Sequence, residues 1–191
     1  MSIFGDIKSN PKYNASNSWS WFMRNVRDFA SSQGVKPMAL MGDHQVQQVT
    51  QIAPGSMYMY FYDPKTKEKL PYYDTFPLVI PFSASAEHFT GINMHYLFPK
   101  TRLVLLTKLL NFANDDTLSD KTRLQLSWRL LRSASKFPEV RPAVKMYLKG
   151  HVKSKFLKIP AQDWHSAIFL PMERFRGAEV QKVWKDSSRR I

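Results

Sequence analysis

Nine cationic side chains lie between residues 129 and 158, namely Arg129, Arg132, Lys136, Arg141, Lys145, Lys149, Lys153, Lys155 and Lys158, with Glu139 as the one acid among them. Positive charge at that density is chemistry for a polyanion: a phosphate backbone, or the acidic surface of another protein. Arg141, Lys145 and Lys149 recur every fourth residue, so on a helix they form a single cationic ridge, which Lys153 continues if the helix persists. Like charges at this spacing repel by roughly a few tenths of a kcal/mol each, so a partner outside the helix has to gain from them. The bland alternative is a solvated helix face. Nothing in the segment has the form of a recognition helix or an RNA-stacking motif, so any nucleic-acid contact is expected to ignore sequence and to weaken with salt.

Catalytic constellations are weaker. Asp43, Asp63 and Asp74 with Lys65 are the residue types that hold magnesium and cleave a phosphodiester. Yet Asp63-Pro64-Lys65 and Tyr73-Asp74 both read as turn residues. The histidines at 44, 88, 95, 151 and 165 are scattered singly, without an HExxH pattern, and His95 reads as a hydrogen-bonded sheet residue beside Tyr96. There is no cysteine, no Gly-x-Ser-x-Gly elbow and no cluster among the seven glycines that would cradle a phosphate. A protein without metal, cofactor or catalytic activity is the expectation.

The elements that must position the basic residues can be read from periodicity. Trp19, Phe22, Val26 and Phe29 fall at helical spacing within Ser18–Ser32, with Gly34 as a stop. Pro37–Gly42 reads as a Met-rich linker, and 43–52 as a loop or an edge strand. From Pro54 the pattern turns to β: 57–62 (MYMYFY), 76–82 and 89–97 are strand candidates, with a turn at Asp63-Pro64. The stretch 70–81, LPYYDTFPLVIP, holds three prolines that cannot donate to a ladder, so its strand must lie at an edge or bend there. Tyr72, Tyr73 and Asp74 then form a structural corner, the rings packed on the sheet and the carboxylate bonded to local amides. After Pro99 helices are expected at 100–111, ended by Asn114-Asp115-Asp116, and at 119–137, capped by Ser119 and buried through Leu124, Trp128, Leu131 and Ser135. A third runs from Pro142 to about Val152, carrying the ridge. A short strand at 156–159 and helices at 161–170 and 178–186 follow, the last docking through Val180, Val183 and Trp184 or reaching into a neighbouring subunit.

This pattern makes an α+β fold: a small, curved antiparallel sheet, an SH3-like and partly open barrel over 54–98, followed by a basic helical layer over 99–191. Residues 1–53 are expected to supply a helix and linker packed on that domain. At 43% apolar and 14% aromatic, the 191 residues can bury a real core. The net charge of +13 is uneven: +1 up to Phe98 and +12 beyond it. No stretch has the length of a membrane helix, and the first dozen residues lack a signal-peptide pattern, so a soluble, unexported chain is expected.

Five stretches together, LPYYDTFPLVIPF, FTGINMHYL, HVKSKFLKI, DWHSAIFLP and ERFRGAEVQKVWKDS, resemble a virion-assembly family of T-even-like contractile-tailed bacteriophages and cyanophages, the DNA end protectors, over roughly residues 54–188. The resemblance implies a small non-enzymatic virion protein, present in the host cytoplasm during assembly. It would bind the ends of packaged linear double-stranded DNA at the stage of head-tail connection and shield them from host exonuclease. No catalytic residue is carried over from it. A tail, neck or baseplate structural protein working only through protein contacts would use a similar basic, aromatic-rich surface.

Overall fold

Period-two alternation in Met57–Tyr60 sends Met57 and Met59 to one side of a strand and Tyr58 and Tyr60 to the other, and both sides are buried. The whole sheet is divided in this way. Met57, Met59, Leu78, Ile80, Ile92, Leu157 and Ile159 belong to a main core shared with the helices. Tyr58, Tyr60, Tyr62, Val79, Phe89, Tyr147 and Phe156 form a second, aromatic layer on the opposite face.

The computed structural model of the protein describes residues 3–9, 19–113 and 115–189. In chain order the elements are α1 (Ile3–Ser9), α2 (Trp19–Ser32), α3 (Pro37–Met41), β1 (Gln48–Val49), β2 (Met57–Met59), β3 (Tyr73–Asp74), β4 (Leu78–Ala84), β5 (His88–Asn93), α4 (Pro99–Ala113), α5 (Asp120–Ala134), β6 (Val144–Leu148), β7 (Phe156–Ile159), α6 (Trp164–Phe169), β8 (Phe175–Arg176) and α7 (Val180–Ser188). Six strands pair antiparallel in the order β1-β7-β2-β4-β5-β6, and β3 and β8 form a separate ribbon. Phe4, Ile7, Val26, Ala30 and Leu40 from the N-terminal helices share the main core. Among the described residues no helix is long and apolar enough to cross a membrane.

Several expectations hold. Gly34, at φ +59°, ends α2 in the left-handed region. Ser119 caps α5 by accepting from the Thr122 amide, and 48–49 is an edge strand. Trp184 of α7 is buried and donates from Nε1 to the His95 carbonyl (2.8 Å), so the last helix docks on its own chain. Ser18 and Asn114 lie outside the described residues.

The structure corrects the sequence reading in other places. The sheet is open, with β1 and β6 as its edges, and is not confined to 54–98, because β6 and β7 come from the basic half. Pro37 opens a one-turn helix rather than a linker, burying itself and Leu40. β4 is interior; Pro81 is accommodated by an irregularity in the ladder between Pro81 and Ser83. The strand expected to reach Leu97 ends at Asn93, whose side chain accepts from the His95 amide and turns the chain into a 3-10 turn. On α5 the buried stripe is Ser127, Leu131 and Ala134, which leaves Leu124 and Trp128 at 49% and 36% exposure.

The largest correction concerns 142–152. This stretch is β6 flanked by 3-10 turns, not a helix. Val144 to Leu148 complete the free edge of β5 in a five-residue register, from Ile92 opposite Val144 to His88 opposite Leu148. Tyr147 thereby enters the aromatic layer beside Phe89, at 5.3 Å between ring centroids. Ladder pairing and that burial outweigh the weak helical periodicity.

A fully buried arginine ties the layers together. Arg102 of α4 donates to the carbonyls of Leu97 (2.9 Å), Ile168 (2.9 Å) and His95 (3.2 Å), and pairs with Glu173 (2.8 Å) beneath the Trp184 ring. Burial alone would raise the Glu173 pKa, but Arg102 first, with His95 and Arg27 nearby, more than offsets it and holds the carboxyl at about 2. A carboxyl depressed from its ordinary 4.5 contributes stability that is present above about 4.5 and lost as the pH falls toward about 2. Chemical denaturation between pH 6 and pH 2 should therefore show about 3 kcal/mol of acid-linked destabilisation from this group. Glu173→Gln should remove that component and lower stability by about 3 kcal/mol at pH 7, because it leaves a buried guanidinium unpaired.

Candidate nucleic-acid interface

A strand separates what a helix would have aligned. Lys145 lies within β6, Arg141 precedes it and Lys149 follows it, so the three cations mark the two ends and the middle of an edge strand at about 3.3 Å per residue. They form no continuous ridge. Instead the basic residues gather in separate clefts.

At the end of β6, Lys149, Lys153 and Lys155 line a surface cleft of about 420 Å3 with Thr50 and Ser154. Lys153 and Lys155 are exposed and Lys149 is half-buried. The cleft is held open by backbone pairing: Lys149 N–H donates to Glu87 O (2.8 Å), Lys153 N–H to Phe61 O (2.8 Å), and Phe61 N–H to Ser154 Oγ (2.9 Å). Lys149 Nζ donates to the Ser85 carbonyl and Ser154 Oγ to the Lys155 carbonyl, so Lys153 and Lys155 supply the ammonium groups of the cleft that suit a phosphate. At the other end, Arg141 and Lys145 line a cavity of about 440 Å3 with Pro138 and Pro142.

The remaining basic residues stand apart. Arg129, Arg132 and Lys136 are exposed on and just beyond α5, with the Arg132 guanidinium 5.1 Å from the Trp128 ring centre. Lys158 lines a different cavity, of about 580 Å3, beside Asp120 and Arg123.

The carboxylates proposed for magnesium are not brought together. Asp43 accepts from the amides of Ile3 and Gln45. Asp63 binds its own i+4 neighbour Lys67 at 2.9 Å instead of capping the expected turn. Lys65 is exposed at the rim of the tyrosine-lined cavity described below. Among the described residues no group of three His, Asp or Glu side chains is placed to hold a metal.

Asp74 is buried in the β3–β8 ribbon and accepts four hydrogen bonds: from the Phe76 amide (3.0 Å), the Arg174 amide (3.3 Å), Asn93 Nδ2 (3.2 Å) and His95 Nδ1 (2.7 Å). Asn93 Nδ2 also donates to Tyr147 Oη at 3.0 Å. The carboxylate is thus bonded to one local amide, as the sequence suggested, and to three groups remote in sequence. His95 is fully buried in a 3-10 turn, not on a sheet face. Tyr72 packs against Tyr96 and Phe175, at 6.1 and 6.4 Å between ring centres.

Above this network lies a feature that the sequence reading missed. Tyr62, Tyr72, Tyr73, Tyr96 and Tyr147, five of the eight tyrosines, line one cavity of about 250 Å3 together with Lys65 and Lys145. The Lys145 ammonium sits 4.1 Å from the centre of the Tyr96 ring. Burial raises the pKa of Tyr62, Tyr96 and Tyr147, so these phenols are neutral at physiological pH.

Asp74→Ala should leave two amides, Asn93 and His95 without their acceptor, costing about 3 kcal/mol and lowering Tm by roughly 6 to 12 °C in a thermal melt. A melting temperature unchanged by this substitution would remove the carboxylate from its structural role.

The model of a family described as the phage T4 terminal DNA protecting protein matches residues 3–187. No curated protein and no solved structure matches the chain. Coverage of almost the whole sequence is decisive: the chain belongs to the phage T4 terminal DNA protecting protein family.

Proposed function

We propose that the protein binds the ends of linear double-stranded DNA in a phage and shields them from exonuclease, without catalysing a reaction. The match to a terminal DNA protecting family carries this reading. The Lys149, Lys153 and Lys155 cleft supports it, since it offers phosphate contacts and nothing that would read a base edge. Protection by occupancy needs no chemistry; a bound protein has only to deny a nuclease the last few nucleotides. On this reading the protein acts where packaged DNA is retained and the head joins the tail, as part of the virion.

A second reading is a tail, neck or baseplate subunit that works through protein contacts. The observation favouring it is the exposed apolar group Leu124, Trp128 and Phe137 on and after α5, beside Arg129 and Arg132. Such a mixture of aromatic and arginine side chains suits an interface.

Exonuclease digestion of linear duplex DNA with the purified protein at two salt concentrations separates the two. Protection should weaken as salt rises, and changing Lys149, Lys153 and Lys155 together to Glu should abolish it while lowering the slope of log K against log salt by about three. Absence of protection at low salt would favour the protein-contact reading.

A further inference from the structure

We infer that the tyrosine-lined cavity beside β6 receives a single unpaired nucleotide, the terminal residue of a DNA strand, and that this pocket distinguishes an end from the side of a duplex. The inference rests on the DNA-end reading for its biological setting, and on geometry for its chemistry.

Five tyrosine rings and two lysines around 250 Å3 suit a flat aromatic base carrying a phosphate. The volume lies below the roughly 300 to 1,000 Å3 of pockets for drug-sized ligands, a size that suits one base. Asp74, which also lines the wall, directs its acceptors to groups inside the protein.

The edge of β6 adds hydrogen-bonding groups. Leu148 N–H points away from the ladder to Tyr62 Oη (3.2 Å), whereas Lys149 N–H points back to Glu87 O (2.8 Å). Antiparallel alternation therefore turns the N–H and C=O of Met146 outward, on the side of the cavity that Met146 lines. One donor and one acceptor from the backbone suit the edge of a base whose partner strand has been left behind, without requiring a particular base.

A path leads out. Lys145 lines three neighbouring cavities: the tyrosine pocket, a smaller one of about 160 Å3 between Tyr72, Tyr96 and Pro142, and the one it shares with Arg141. A strand whose last base enters the pocket meets Lys145 at its adjacent phosphate and Arg141 beyond. Only an end can do this. A base within a duplex is stacked and paired, and its extraction costs more than that of a frayed terminal base.

Three probes test the inference on the full chain: a duplex with open ends, the same duplex closed by hairpin loops at both ends, and a 5′-phosphorylated thymidine tetranucleotide, with thymidine monophosphate as the control for free nucleotide. The wild type should bind the open duplex roughly tenfold or more tightly than the closed one, and the tetranucleotide should erase that preference better than the monophosphate does. Tyr72→Ala and Lys145→Gln should each bring the open-to-closed ratio close to one, and Tyr72→Phe, which keeps the ring, should retain it. Lys145 is a strand residue at the protein surface, so its variant reports even if Tyr72→Ala fails to fold. Equal affinity of the wild type for open and closed duplexes would overturn the pocket, as would a preference that survives in Lys145→Gln. An end preference without exonuclease protection would instead leave the pocket standing and defeat the protective function.

Discussion

The Arg102 guanidinium is buried without solvent access, and the arrangement of half the molecule follows from satisfying it. A charge in that position costs several kcal/mol unless compensated. Compensation comes from the chain leaving β5, from α6, from Glu173 and from the face of Trp184, four segments that also share the main core through Leu97, Ile168, Met172 and Val183. The same His95 carbonyl accepts from both Arg102 and Trp184, while the His95 ring holds Asp74. Asp74 in turn fixes the ribbon that carries Tyr72 and Tyr73. Two residues, His95 and Asp74, therefore separate the buried cation from the tyrosine cavity, and the pocket wall inherits the rigidity of the core.

What could be read from the sequence was what periodicity and local chemistry decide. The helices at 19–32, 99–113 and 120–134 show apolar spacing or a capping serine, and the edge strand at 48–49 shows weak alternation. The stretch 142–152 misled because Arg141, Lys145 and Lys149 mimic a helical period. Its strand identity comes from the unpaired edge of β5, more than fifty residues away. Arg102 was overlooked although its spacing to Leu105, Leu106 and Leu109 places it on the buried face of α4, a signal that was present. The tyrosine cavity had no such signal. Its rings come from four places in the chain, and only the folded topology puts Tyr62 beside Tyr147.

Charge and aromaticity meet at two places on the surface, where Lys145 lies over Tyr96 and Arg132 over Trp128. The excess of +12 beyond Phe98 is spread over α4, α5, the residues around β6 and β7, and the C-terminal stretch that includes α7, so the molecule presents several moderate positive regions instead of one band. The clefts flank a strand edge and do not run along a helix. This distribution also places lysine at an open sheet edge, where it discourages β6 from pairing with another strand.

The ribbon of β3 and β8 also sets the order in which the protein can be completed. Asp74 waits for the Arg174 amide, 100 residues later in the chain, and Gly177, at φ +87°, passes so close to Pro71 that a Cβ there would fall 2.5 Å from the Pro71 carbonyl oxygen. β1 likewise pairs with β7, about 107 residues away, and β2 lies between β7 and β4. The tyrosine wall is thus anchored by partners about 100 residues away in sequence, a high-contact-order arrangement that folds slowly and as a unit. The basic side chains are a property of the sequence alone, whereas the tyrosine wall exists only once these distant segments have met.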